Sequence, residues 1–260
     1  MSPNVQAAET PEKSGALSEI VEIIKTVVYA LLIALFLRVI FFQPFTIPSA
    51  SMEPNLYEGD YIIVSKFTYG YSRHSIPFSP PLFEGRILEN RPKRGDVVVF
   101  KLPRDGRTDY VKRVVGLPGD RIQMKAGRLW VNEREIPRVT LPSAKEDSGY
   151  GFVRDVARYQ ETLPDGRTYV TNDYGTDGDL DNTGPFVVPE KNYFMMGDNR
   201  DNSSDSRVAP EAGGVGFVPA DHLVGKAQIV LLSWHPSASI FKPWTWVLDA
   251  RPSRFFKVLK

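Results

Sequence analysis

The feature that constrains this chain most is one long apolar run near its N-terminus, between residues 19 and 42. No charged side chain occurs from Thr26 to Leu37, and Lys25 and Arg38 flank this stretch. As a helix, the segment from Thr26 to Phe42 is about 26 Å long, and the hydrocarbon core of a bilayer is roughly 30 Å thick. Flanking basic side chains can reach the two interfaces. The sequence therefore predicts one transmembrane helix over residues 19–42.

The flanks of this run leave other interpretations open. Residues 1–18 are polar and contain Pro3, Pro11 and Gly15, so a disordered tail is predicted there. An interfacial amphipathic helix is a second interpretation of the run, but its middle is apolar on every side. A cleaved signal peptide is a third, although glutamates precede the run where a signal peptide carries basic residues. Basic residues are too evenly distributed for the positive-inside rule to predict an orientation.

Composition excludes several classes of site in the 260 residues. There is no cysteine, which excludes disulfides, thiolate metal sites and cysteine catalysis. The three histidines, His74, His222 and His235, are not spaced as metal ligands, so no metal and no cofactor are expected. The net charge is +1, whereas a nucleic-acid partner normally requires a concentrated basic face. We therefore expect a protein without a nucleic-acid partner.

After residue 42 the apolar pattern changes from helical to alternating. Short runs bounded by glycine and proline turns predict strands at residues 61–67, 96–102, 110–115, 121–124, 128–131, 185–189, 192–196 and 227–232. Such spacing predicts a mostly β fold, with an antiparallel β-sheet domain over residues 43–260. Polar and turn residues dominate residues 132–184, where only short strands near 151–153 and 168–171 are expected. This region is predicted to be an inserted smaller β subdomain.

Two prolines brace two serines just after the apolar run, in Pro48-Ser49-Ala50-Ser51-Met52-Glu53-Pro54. Proline fixes φ and disfavours helix in the residue before it, so this segment is a stiff turn. Taken alone, both serines are also compatible with an ordinary loop. A hydroxyl on a stiff turn is nevertheless held in one place, as a nucleophile requires.

Two other segments carry polar groups that could act with a serine. In the strand predicted at 110–115, alternation places Lys112 on the same face as Val114, which should point into apolar packing. Burial disfavours the charged amine, so the pKa of Lys112 should fall unless the amine reaches solvent at the strand end. The segment 196–207 is dense in hydrogen-bonding residues. It is either a solvated loop or a loop held rigid by Asx turns and Asp–Arg pairs.

These segments together resemble bacterial type I signal peptidases. The resemblance covers the apolar run and residues 48–56, 59–67, 94–103, 110–120 and 196–207, all in the order of that family. It implies a membrane-anchored serine endopeptidase that cleaves signal peptides from exported preproteins after small residues. Its partners would be such preproteins and the lipid bilayer. Its β domain would lie on the periplasmic side of the cytoplasmic membrane, with the N-terminal tail in the cytoplasm.

That family works with a serine and a lysine, and the resemblance assigns roles by motif. Ser51, in the pattern Ser-x-Ser-Met, would be the nucleophile, and Lys112, in Lys-Arg-x-x-Gly-x-Pro-Gly-Asp, the general base. A lysine base must be neutral near pH 7, which requires its pKa to fall by roughly two to three units from about 10.4. The supporting residues would be Ser49 as an oxyanion donor, Ser203 as a hydrogen-bond partner of the Lys112 amine, and Asp205 paired with Arg207 to hold their loop.

Two other functions are compatible with the sequence. A non-enzymatic membrane-anchored β module could bind peptide, or calcium through Asp177–Asp181. This segment resembles the start of a calcium loop, but Asn182 and Val188 stand where such loops carry glycine and glutamate. Self-cleaving repressors use similar Ser/Lys chemistry on their own chains. The apolar run and the lack of a DNA-binding segment argue against that alternative.

Overall fold

A computed structural model describes residues 14–147, 153–239 and 241–259 of the chain. Within these residues the chain forms two α-helices and a series of mostly antiparallel strands. They are α1 (Ser14–Ile40), β1 (Phe42–Thr46), β2 (Asp60–Ser65), β3 (Val97–Lys101), β4 (Asp109–Gly116), β5 (Arg121–Lys125), β6 (Arg128–Val131), β7 (Arg134–Glu135), β8 (Arg138–Asp147), β9 (Val153–Thr162), β10 (Thr168–Asp173), β11 (Phe186–Val187), β12 (Asn192–Met196), β13 (Val218–Pro219), β14 (Leu223–Ser233), α2 (Thr245–Leu248) and β15 (Lys257–Val258).

The apolar run forms α1, whose side chains are exposed from Leu17 to Arg38, while Val39 and Ile40 at its end are half-buried. Its segment Leu17–Ile40 has a mean hydropathy of 2.4, and it is the one helix in the described part of the chain long and apolar enough to cross a membrane. The helix begins at Ser14, so residues 14–18 are helical rather than part of the predicted tail. No proline after Pro11 interrupts the helix there. Residues 1–13 of that tail lie outside the described residues.

An eight-stranded sheet follows the helix. Its strand order is β1-β2-β14-β3-β4-β12-β13, and β15 pairs with β14. In β3 the residues Val97 to Phe100 are all buried, because apolar clusters cover both faces of the sheet. This explains their uninterrupted apolar sequence. The predicted fold class, mostly antiparallel β after one apolar N-terminal helix, is confirmed.

Two smaller sheets lie between β4 and β12 in the sequence. Strands β5, β6, β7 and β11 form a four-stranded sheet, and β8, β9 and β10 form a three-stranded sheet. We call β8–β10 the inserted sheet; it begins at Arg138, later than the predicted boundary at residue 132. Strands β8 and β9 have 10 residues each, where the sequence predicted only short strands. Their sequences are rich in charged residues, which obscures the alternation on which strand prediction depends.

Candidate active site

The proline-braced turn leads from β1 into a short 3-10 helix, Ala50–Met52. Met52 and Leu56 are buried in the apolar core beside β2 and therefore anchor the turn. Ser51 is half-buried and Ser49 is exposed, with 3.3 Å between their Oγ atoms. The turn thus holds two adjacent hydroxyls at the surface of the sheet.

Strand β4 brings Lys112 against this turn. Lys112 Nζ lies 2.5 Å from Ser51 Oγ, although 61 residues separate them in the sequence. The lysine is only 3% exposed. Burial lowers the pKa of Lys112 to about 8, while the nearby Asp205 and Asp198 carboxylates oppose this change. About a tenth of the amine is therefore neutral at pH 7, far more than for a lysine of ordinary pKa.

The next residue of β4, Arg113, is buried on the other face of the strand. Its guanidinium donates to both carboxylate oxygens of Asp198, at 2.7 Å each, and to the carbonyl oxygen of Gly95 at 2.6 Å. Sequence reasoning placed Arg113 on that face but did not identify Asp198 as its partner. The pair links β4 to the loop that follows β12.

That loop is held by the predicted pair Asp205 and Arg207. Arg207 Nε and Nη2 donate to the two Asp205 oxygens at 2.9 Å each, and the Gly197 N–H donates to Asp205 Oδ2 at 3.0 Å. Burial opposes ionisation of Asp205, but the Arg207 charge and these hydrogen bonds outweigh it and hold its pKa below the usual value. The loop is therefore rigid where it passes the turn.

Ser203 lies in the same loop, and its Oγ is buried without a hydrogen-bond partner among the described residues. The predicted hydrogen bond to the Lys112 amine is therefore not formed in this structure, where the amine is bonded to Ser51 Oγ instead. Ser203 is still close to the turn. A Cβ added to Gly197 would overlap both Ser203 Oγ and the Ser51 carbonyl oxygen.

The serine and the lysine face a groove of about 950 Å³. Strand β1 borders it and pairs with β2, and no other strand in the described ranges pairs with its outer edge. The first half of β4 also borders it; before Arg113 this strand pairs with β3 but not with β12. Side chains that line the groove include Phe45, Ile47, Tyr61, Tyr110, Val111, Asn202 and Ser204.

The acidic segment Asp177–Asp181 borders a separate pocket together with Asp201 of the β12 loop. Asp181 Oδ2 accepts a hydrogen bond from the Gly178 N–H at 2.8 Å. Within the described ranges, no group of three or more His, Cys, Asp or Glu side chains is arranged to hold a metal ion.

A hydroxyl beside a buried amine of lowered pKa, at an open groove, is the arrangement of a serine hydrolase of the Ser/Lys type. Comparison with known proteins agrees with this class. The family described as signal peptidase, peptidase S26, matches residues 20–234. The chain therefore belongs to the signal peptidase family, and the predicted family and class of enzyme are confirmed.

Individual relatives cover nearly the whole chain. Signal peptidase I of Rickettsia typhi (strain ATCC VR-144 / Wilmington) is 38% identical in an alignment 255 positions long that covers 89% of this chain and 90% of that protein. Signal peptidase I of Rickettsia canadensis (strain McKiel) is 38% identical in an alignment 252 positions long that covers 90% of this chain and 92% of that protein. A solved signal peptidase I structure from Enterococcus faecalis V583 is 24% identical, with a TM-score of 0.30, over 53% of this chain and 97% of that chain.

Proposed function

We propose that this chain cleaves signal peptides from exported preproteins with Ser51 as nucleophile and Lys112 as general base. The observation that supports these roles most directly is the 2.5 Å separation of Lys112 Nζ and Ser51 Oγ in buried surroundings. A serine hydroxyl is a weak nucleophile until a base removes its proton. Lys112 can do so because burial leaves part of its amine neutral.

The reaction then follows the usual course of acyl transfer. The lone pair of neutral Lys112 takes the hydroxyl proton while Ser51 Oγ bonds to the carbonyl carbon of the substrate. The protonated amine next gives this proton to the leaving nitrogen, which releases the new N-terminus and leaves an acyl-enzyme. Lys112, neutral again, takes a proton from a water molecule that attacks the ester carbon, and gives this proton to the leaving Ser51 Oγ, which restores the free enzyme and releases the carboxylic acid product. When Lys112 is neutral, the lone pair of its amine faces Ser51. The two N–H groups of the amine then need other acceptors. Ser203 Oγ, which has no hydrogen-bond partner among the described residues, is suited to be one of these acceptors.

Two donors beside Ser51 are suited to stabilise the oxyanion of the tetrahedral intermediate. The Ser49 hydroxyl lies 3.3 Å from Ser51 Oγ. The Ser51 N–H lies in the first turn of the 3-10 helix Ala50–Met52, where backbone donors have no acceptor within the helix, so it is suited to bind a substrate oxygen. One such donor is typically worth on the order of 3 kcal/mol of transition-state stabilisation.

An extended peptide fits between the two unpaired strand edges of the groove. The Ile47 N–H donates to the Asp60 carbonyl at the start of β2, and the Ile47 C=O accepts the N–H of the preceding Gly59. Alternation therefore turns the backbone groups of Pro44 and Thr46 towards the groove. Val114 bonds towards β3 in the same way, which turns the backbone of Asp109 and Val111 outward. A substrate strand inserted here would bond to both edges and direct alternate side chains into the groove. We infer that small residues precede the cleavage site in the substrate, as the resemblance to type I signal peptidases implies.

The helix α1 would place this site at a membrane surface. Phe41, Phe42 and Phe67 form edge-to-face contacts at its C-terminal end and remain between 38% and 46% exposed. Exposed apolar rings such as these can insert into the boundary between lipid headgroups and acyl chains. We infer that the helix crosses the cytoplasmic membrane once and that the β domain lies on its periplasmic side.

The test is cleavage of a preprotein by the full-length protein in detergent micelles, with the new N-terminus located by mass spectrometry. Ser51→Ala and Lys112→Ala should each lower kcat by at least about 10³-fold while the fold is retained. The matched control is Lys125→Ala, a change at an exposed lysine of β5, which should cleave normally. Normal cleavage by either Ser51→Ala or Lys112→Ala would refute the assigned roles. Tight calcium binding without any cleavage would instead favour the non-enzymatic alternative.

A further inference from the structure

Asn199 holds the backbone of the serine turn from the side of the β12 loop. Its main-chain N–H donates to the Ser51 carbonyl oxygen at 3.1 Å, and its Nδ2 donates to the Ala50 carbonyl oxygen at 3.2 Å. Asn199 is completely buried. Sequence reasoning included this residue in the polar segment 196–207 but assigned it no role. The Ala50 carbonyl oxygen also accepts the Glu53 N–H at 3.0 Å within the turn. Asn199 thus holds the carbonyls of Ala50 and Ser51 from outside the turn.

The bond to Ala50 has a specific geometric consequence. The Ala50 carbonyl and the Ser51 N–H belong to the same peptide group, which is planar and has its C=O and N–H on opposite sides. Holding the carbonyl oxygen towards Asn199 therefore directs the Ser51 N–H away from it. That N–H is the backbone donor assigned above to the oxyanion. Rotation of this peptide plane would turn the donor away from a substrate oxygen.

Asn199 is in turn held by the inserted sheet. The main chain of Asn172 in β10 bonds to the residues on both sides of it. The Asn172 N–H donates to the Asp198 carbonyl, and the Arg200 N–H donates to the Asn172 carbonyl, each at 2.9 Å. The Asn199 side chain also lies 3.2 Å from Glu146 Oε1 in β8.

Tyr174, just after β10, completes this arrangement. Its hydroxyl lies 3.0 and 3.1 Å from the two Glu146 carboxylate oxygens and 3.4 Å from Asn199 Nδ2. The carboxylate is therefore fixed where it receives one N–H of the Asn199 amide, which leaves the other N–H for Ala50. A continuous set of hydrogen bonds runs from the inserted sheet to the peptide group of the nucleophile.

We propose that Asn199, held by Glu146 and Tyr174, is a positioning residue that aims the Ser51 N–H at the oxyanion. The inserted sheet thereby sets the geometry of catalysis, although none of its residues lines the substrate groove. The proposal rests on the proposed function, because it concerns the same reaction. A positioning role differs from a purely structural one in its consequence. A variant that lacks the Asn199 amide should fold normally but bind the transition state more weakly.

Three variants of the full-length protein test this proposal: Asn199→Ala, Glu146→Ala and the double variant. Asn199→Ala should lower kcat about 10²-fold, as loss of an oxyanion donor does, with KM changed by less than about twofold. Glu146→Ala should lower kcat about 10-fold, and the double variant should lose no more than Asn199→Ala alone, because both act through one path. Glu135→Ala is the matched control, since the Glu135 carboxylate pairs with Arg128 on the four-stranded sheet and with no other described side chain. It should retain full activity.

A peptide aldehyde with alanine at its end supplies the second measurement. It adds to Ser51 as a hemiacetal whose oxygen occupies the oxyanion position, so its inhibition constant should rise by the same factors as kcat falls. An unchanged inhibition constant, or an unchanged kcat in folded Glu146→Ala, would overturn the proposal. Active Ser51→Ala would instead overturn the proposed function. Inactive Ser51→Ala together with fully active Asn199→Ala would refute this inference alone.

Discussion

Deprotonation of Lys112 should control the rate as pH rises. Burial lowers its pKa from 10.5 to about 8. A base of that pKa is about 1% neutral at pH 6, half neutral at pH 8 and about 90% neutral at pH 9. We therefore expect kcat/KM to rise nearly tenfold per pH unit up to about pH 7.5 and to level off above about pH 9, a total gain of about 90-fold from pH 6.

The same arithmetic measures how much burial contributes. A lysine with the ordinary pKa of 10.5 would be about 0.03% neutral at pH 7, against about 9% for a pKa of 8. Burial therefore increases the active fraction about 300-fold at that pH. Because Lys112 is 3% exposed, solvent screening removes little of this effect.

The assay is kcat/KM for a peptide substrate without groups that titrate between about pH 6 and pH 10, at constant ionic strength. Each sample is returned to one reference pH afterwards to exclude irreversible loss. Titration of Lys112 does not unfold the protein in this pH range, because the pKa of Lys112 is lower in the folded state than in the unfolded state. The folded state thus binds fewer protons between about 8 and 10.5, so stability rises with pH there. A flat profile from pH 6 to 9, or a rise only above about pH 10, would refute the reasoning.

Three further predictions concern buried groups at the site. Lys112→Met should be inactive yet about 2 kcal/mol more stable than the parent at pH 7. Removing the buried charge stabilises the folded state by more than the lost hydrogen bond to Ser51 destabilises it, so a lower midpoint of thermal unfolding would contradict this prediction. Gly197→Ala should lower both kcat and the unfolding midpoint, because its Cβ overlaps Ser203 Oγ and the Ser51 carbonyl oxygen; Gly184→Ala, which meets no neighbour within 4 Å, should change neither. Burial, and to a lesser degree the Glu146 charge, raises the pKa of Glu53 from 4.5 to about 7. The folded protein therefore binds this proton more tightly than the unfolded chain, and the free energy of unfolding falls as pH rises from about 4.5 to about 7. Glu53→Gln should therefore be about 1 kcal/mol more stable than the parent at pH 8 and equally stable near pH 4, after allowance for solvent screening.

Several elements were predictable because their signals are local. The apolar run predicted α1, and the apolar segment 192–196 predicted β12 with the bounds that the structure has. Short motifs identified Ser51 and Lys112 as the candidate catalytic pair. The alternation of residues along β4 predicted that the Lys112 side chain faces apolar packing. Each of these inferences depends on neighbouring residues and on the period of one helix or strand.

Other features were not predictable because they depend on residues far apart in the chain. The two long strands of the inserted sheet, β8 and β9, carry many charged residues. The sequence predicted only short strands in this region. The contacts of Asn199 with Ala50 and Glu146 join segments that no sequence pattern connects. The unpartnered Ser203 hydroxyl, expected to bond to Lys112, also depends on side-chain packing that motifs do not encode.

By itself the sequence determined the anchor, the strand-rich fold and the two residues of the proposed catalytic pair, since apolar periodicity and short motifs are written along the chain. Only the tertiary structure decided that Lys112 Nζ stops 2.5 Å from Ser51 Oγ and that the inserted sheet supports the turn behind it. The reason is physical. Distances between side chains on different strands are set by register and packing across sheets, and these depend on all strands together.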